Sequence, residues 1–197
     1  MLHGPFLWYA NRGTGVVLLV LLTLTTVLGV LATRGDAGSR VPRFLTQSFH
    51  RNLALVSTVL LVVHVATAVV DEYVDIRWWQ AFVPVGATYQ PLWLGLGTVA
   101  LDLVAVVVLS SLLRARLSHR SWRVLHLSAY ACWAVSVLHG QGIGTDAGQG
   151  WARVTGLACV AAVALAVLVR LAGLRRRSVR RRRTAAVNGL LVTGGHR

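Results

Sequence analysis

Lysine is absent from this chain of 197 residues and the acids number only six, yet the formal charge is +14, carried by arginine. Apolar residues make up 55% of the chain and mean hydropathy is +0.64, so polar surface is scarce as well as one-signed. A membrane accounts for both facts: apolar runs fill the bilayer and arginines collect on its cytoplasmic side. Almost nothing remains for a soluble domain. The two cysteines, Cys132 and Cys159, fall inside apolar stretches, which excludes a disulfide framework and reads as small buried hydrophobes. No dinucleotide fingerprint follows a strand. Gly13-Thr14-Gly15 and the glycine-rich 140–150 segment lack a P-loop lysine, so no FAD or NAD(P) site is expected in this chain.

Five stretches are long enough to span about 30 Å of hydrocarbon at about 1.5 Å per residue. They are Val16 to Ala32, Ser48 to Val70, Leu92 to Leu113, Ser121 to Leu138 and Trp151 to Ala172. The expected fold is therefore an all-α integral membrane bundle of about five transmembrane helices, residues 1–173, with a basic tail over 174–197 whose last residues, from Thr184, are expected to be disordered. The N-terminal run lacks a clear processing site and reads as a retained helix. Arg34, Arg40 and Arg43 lie in the first connection, Arg114, Arg116 and Arg120 in the third, and Arg175 to Arg177 and Arg180 to Arg183 in the tail. These three segments belong in the cytoplasm. The second connection, with Asp71, Glu72 and Asp75 against Arg77, and the fourth, with Asp146, face outward. The expectation is a multi-pass protein of the plasma membrane, N-terminus outside and C-terminus cytoplasmic. Following a membrane helix directly, the arginine tail reads as a topological lock and an anionic-lipid contact, not as a nucleic-acid site.

Four histidines stand inside two of the apolar stretches: His50 and His64 in the second, His126 and His139 in the fourth. Strongly polar side chains at membrane depth are expensive and usually functional. Both helices run from inside to outside, which sets His50 level with His126 and His64 level with His139, the two levels about 20 Å apart along the axis. A copper, zinc or di-iron site needs ligands converging on one point, and these do not. Two six-coordinate hemes stacked across the bilayer, each held between helices 2 and 4, suit them better. At about 100° per residue, fourteen positions bring His64 within roughly 40° of the face of His50. Thirteen positions leave His139 roughly 140° from His126. Either the fourth helix is distorted or its two histidines are approached from different sides.

The pattern of His50, His64, His126 and His139 resembles the diheme transmembrane domain of the ferric reductase and NADPH oxidase family, most closely its stand-alone actinobacterial members. The similarity extends to residues 7–13 (LWYANRG), Phe49-His50-Arg51-Asn52, residues 91–95 (PLWLG), Ser118 to His126 and Leu138-His139-Gly140, and spans roughly residues 6–172. The resemblance implies transmembrane electron transfer through two b-type hemes, the inner held by His50 and His126 and the outer by His64 and His139. In the larger relatives a cytoplasmic flavin and nicotinamide domain feeds the inner heme, and the outer heme reduces ferric iron or oxygen. Residues 174–197 are too few for such a domain, so a separate flavoprotein or quinol is the expected donor. Ferric iron or an extracytoplasmic reductase is the expected acceptor. One alternative is a heme subunit feeding an outer-face reductase, resembling the membrane partner of bacterial protein-methionine-sulfoxide reductases. Another is a non-redox transporter or scaffold whose histidines only bridge helices.

Other residues suit a heme with less specificity. Arg51, Arg120 and Arg123 lie near the inner level, where guanidinium groups pair with propionates or simply obey the charge rule. Arg12 runs against that rule, which favours a propionate contact at the outer level. Asp102, alone in mid-span on the third helix, is expected protonated or hydrogen-bonded, orienting a ligand imidazole, carrying a proton or bridging two helices. Trp78, Trp79, Tyr89 and Trp93 read as an interface belt. His3, His119 and His196 are assigned no iron.

Overall fold

The computed structural model describes residues 5–32, 43–71, 74–143 and 150–194, and its regular structure among these residues is helical. The order is α1 (Pro5–Ala32), α2 (Arg43–Val70), a short 3-10 turn (Trp78–Ala81), α3 (Pro91–Leu112), α4 (His119–Ile143) and α5 (Gly150–Gly194). Arg34, Arg40, Glu72 and Asp146, which the charge argument used, lie outside the described residues, as do His3 and His196.

Four helices are long and apolar enough to cross a membrane: α1, α2, α3 and the first 27 residues of α5. The fifth expected span, α4, has the length, at 25 residues, but does not meet the same measure of apolarity. The polar groups that make it of interest, His126, Ser128, Ser136, His139 and Gln141, are the ones that dilute it. Two ends differ from expectation. α1 begins at Pro5, where a proline at the first helical position loses no hydrogen bond. α5 continues as helix to Gly194, through the segment expected to be disordered.

α1 is the central helix, packing on α2, α5 and α4, while α3 packs on α4 and the 3-10 turn. α2 and α4, which carry the four histidines, are not among the closely packed pairs. Large apolar side chains point outward and small ones inward, the arrangement expected where lipid is the solvent. Thr23, Thr26 and Ser57 are buried because each hydroxyl donates to the carbonyl four residues back, Leu19, Leu22 and Leu53. Trp133 Nε1–H donates to Thr23 Oγ1 at 3.0 Å and pins α4 to α1. Cys132 is buried with its Sγ 3.5 Å from the Ala100 carbonyl oxygen of α3, and Cys159 is buried on α5; both are free thiols.

The connection into α3 is built against it. Thr98 Oγ1 donates to the Gln80 carbonyl at 2.6 Å. The Pro84 carbonyl lies so close to Gly95 that no Cβ would fit there. Gly86 makes the intervening turn with φ of +84°, a conformation that side chains oppose.

Candidate functional site

His50 of α2 and His126 of α4 face each other across the bundle, ring centres 6.2 Å apart and planes inclined at 67°. A metal–imidazole bond is about 2 Å long, so two imidazoles on opposite sides of one metal have their centres about 6 Å apart. The pair fits that spacing. His64 and His139, toward the other end of the same two helices, stand within electrostatic reach of each other. No group of three His, Cys, Asp or Glu converges among the described residues. Each level therefore offers two imidazoles and no third protein ligand among the described residues.

Three of the four imidazoles are seated in the same way. His50 Nδ1 lies 3.0 Å from the Thr25 carbonyl oxygen, His64 Nδ1 3.1 Å from that of Asn11, and His139 Nδ1 2.8 Å from that of Trp93. A carbonyl can only accept, so each ring carries its proton on Nδ1 and keeps a lone pair on Nε2. Four residues beyond each acceptor stands a glycine, Gly29, Gly15 and Gly97, and a Cβ there would meet the imidazole at 3.5, 3.1 and 2.5 Å respectively. In a helix a carbonyl points toward residue i+4. With no Cβ at that position, the ring lies flat enough on the neighbouring helix to reach the oxygen. Such a second hydrogen bond orients a ligand imidazole and raises its basicity. The His64 site is further tied by the Thr14 hydroxyl, 3.2 Å from Nδ1, and by Asn11 Nδ2, which donates to the His64 carbonyl at 2.8 Å.

His126 is the exception. Its Nδ1 is buried and has no hydrogen-bond partner among the described residues. The ring instead stacks on Trp122, one turn earlier, at 4.9 Å and 19°. Arg114 also lies over that indole, its Cζ 4.6 Å from the ring centre. Ser110 stands thirteen residues after Gly97 on α3, as His126 stands thirteen before His139 on the antiparallel α4. That serine is buried, with its hydroxyl turned to the Val107 carbonyl. The thirteen-residue interval also has its answer here: His139 leans on α3, His126 faces α2, and α4 serves different sides at its two levels.

The remaining expected residues divide. Arg12 is half-buried at the His64 end, its guanidinium 4.0 Å above the Trp8 ring. Arg51, Arg120 and Arg123 are exposed near the His50–His126 level. Asp102 is exposed and forms no hydrogen bond or ion pair with a described residue, so it neither orients an imidazole nor bridges helices within the chain. Main-chain carbonyls do the orienting. Trp93 is half-buried against Gly142 and supplies one of those carbonyls, whereas Trp78 and Trp79 are exposed as a belt requires. The glycines were missed by sequence reasoning, although a signal existed: Gly15 and Gly29 are fourteen residues apart, as are His50 and His64.

Residues 6–146 match the family model described as domain of unknown function (DUF8596). The chain belongs to this family. The DUF8596 region takes in α1, α2, α3 and the described part of α4, hence all four histidines, the three glycines and Arg12, Arg51 and Arg123. α5 lies beyond it. No curated protein and no solved structure matches the chain.

Proposed function

We propose that this DUF8596 protein carries single electrons across a membrane through two b-type hemes, one between His50 and His126 and one between His64 and His139. The observation that carries the reading is the seating of His50, His64 and His139, whose Nδ1 protons are committed to carbonyls and whose Nε2 lone pairs are left for a metal. The loose spacing of α2 from α4 supports it, since a flat macrocycle needs a gap between the helices that ligate it. So does the resemblance to the ferric reductase transmembrane domain. Heme, when bound, supplies a one-electron couple at each level. The chain's part is to hold the rings, to exclude water with its apolar helices, and to offer Arg51 and Arg123 at one level and Arg12 at the other as propionate partners.

In this reading α4 is the fifth crossing helix, its histidines turned to His50 and to the Trp93 carbonyl rather than to lipid. The arginine-rich side faces the cytoplasm and receives electrons from a separate flavoprotein or quinol. The opposite level passes them to ferric iron or an extracytoplasmic reductase in the plasma membrane of the cell. The test is purification in detergent with a reduced-minus-oxidised spectrum and a pyridine hemochrome count. The expected result is about two low-spin b hemes per chain, with His50→Ala or His126→Ala removing one and His64→Ala or His139→Ala removing the other. Heme content untouched by all four changes overturns the reading.

A further inference from the structure

α3 carries a stripe in a three-four rhythm: Gly95, Thr98, Asp102, Ala105, Leu109 and Leu112. These positions form one line along the helix. Its first two members are already covered, Gly95 by the Pro84 carbonyl and Thr98 by the main chain at Gln80. The other four are exposed, and α3 has its close neighbours only in α4 and the 3-10 turn among the described residues. Asp102 is the polar member of the open half, at the twelfth of 22 positions and so at the middle of an apolar span. A carboxyl facing hydrocarbon there, with no partner in its own chain, is costly by several kcal/mol.

We infer that the open half of α3 is the interface of a two-fold symmetric dimer, with Asp102 of one copy against Asp102 of the other. Three features select a second copy as the occupant. A two-fold axis along the membrane normal brings each residue to its own equivalent at equal depth. A carboxylic acid offers one O–H donor and a carbonyl acceptor, so two of them satisfy each other without a donor from any other chain. Ala105, one turn on, lets the two backbones approach, and a single polar residue in an apolar seam fixes register and copy number. Asp102 lies about 140° around α3 from Gly97 and Ala105 about 80°, so the dimer leaves the His139 seat undisturbed and is independent of the heme reading.

The experiment is mass photometry of the full chain in lipid nanodiscs, paired with oxidative cross-linking. The expected result is a dimer for the wild type and for Asp102→Asn, whose amides pair in the same way, and a monomer for Asp102→Leu. Ala105→Cys is expected to cross-link, while Leu165→Cys on the exposed face of α5 is not. Asp102 makes no hydrogen bond or ion pair with a described residue, so both variants are expected to keep the wild-type helical content by circular dichroism. A wild type that stays monomeric overturns the inference and leaves Asp102 to a helix of another protein. A dimer indifferent to Asp102→Leu, or one that Ala105→Cys fails to cross-link, overturns it equally.

Discussion

At one end of the bundle both imidazoles give their Nδ1 protons to a main-chain carbonyl, His64 to Asn11 and His139 to Trp93; at the other end His50 does so and His126 does not. The ends share residue types, helices and spacing, and differ in what lies behind the fourth ring: a carbonyl bared by glycine stands behind three of the imidazoles, and the Trp122 indole behind His126. A histidine so anchored is fixed in tautomer and orientation, whereas His126 rests on a stacked indole that leaves its Nδ1 without a partner. Equal sequence spacing therefore does not make equal sites.

The strongest way to break this comparison is to fill the glycine seats. Gly97→Ala places a methyl 2.5 Å from the His139 ring and is expected to empty the His64–His139 site, overpacking costing about 1–3 kcal/mol against roughly 1 kcal/mol regained in helix propensity. Gly15→Ala, at 3.1 Å, is expected to weaken that site without emptying it. Gly29→Ala, at an ordinary 3.5 Å, is expected to leave its site intact and the melting temperature unchanged or raised. Heme content per chain and thermal melts check the series. An equal effect of all three changes contradicts the role given to the glycines.

Next in size is the rate of heme loss. One missing hydrogen bond is worth about 1 kcal/mol, so the His50–His126 site is expected to release heme about fivefold faster than the other. Transfer to apomyoglobin, followed in His64→Ala and His126→Ala proteins that each keep one site, gives the ratio. A ratio of one, or its inverse, removes the distinction between the ends.

Trp122→Leu is expected to do less. It deletes a stacking contact worth about 0.5–1.5 kcal/mol and should alter the spectrum and heme loss of the His50–His126 site alone. Smallest of all is Asp102→Asn, for which no change in heme spectrum or reduction rate is expected at either level, because Asp102 touches neither pair. A shift there would return Asp102 to the cofactor sites.

Much of this was legible beforehand. The helices follow from long apolar runs bounded by charge, and the levels of the four histidines from counting along two of those runs at a fixed rise per residue. The weak apolarity of α4 was passed over in counting five equal spans, although the polar residues that cause it are the same ones that single it out. The seats of the histidines were not, apart from the matched intervals of Gly15–Gly29 and His50–His64. The role of Asp102 stayed open among orienting an imidazole, carrying a proton and bridging helices, because a helical position states no direction until its neighbours are known.

The sequence by itself determined that the chain is helical, apolar and one-signed in charge, and that four imidazoles occupy two matched levels. These are properties of single residues and of spacing along one helix, where local geometry is constant. Only the tertiary structure decided that Asn11, Thr25 and Trp93 lend their carbonyls, that His126 goes without, and that Asp102 faces away. Those outcomes depend on how each helix is rotated and shifted against the next, which close packing across the bundle sets and no single segment encodes.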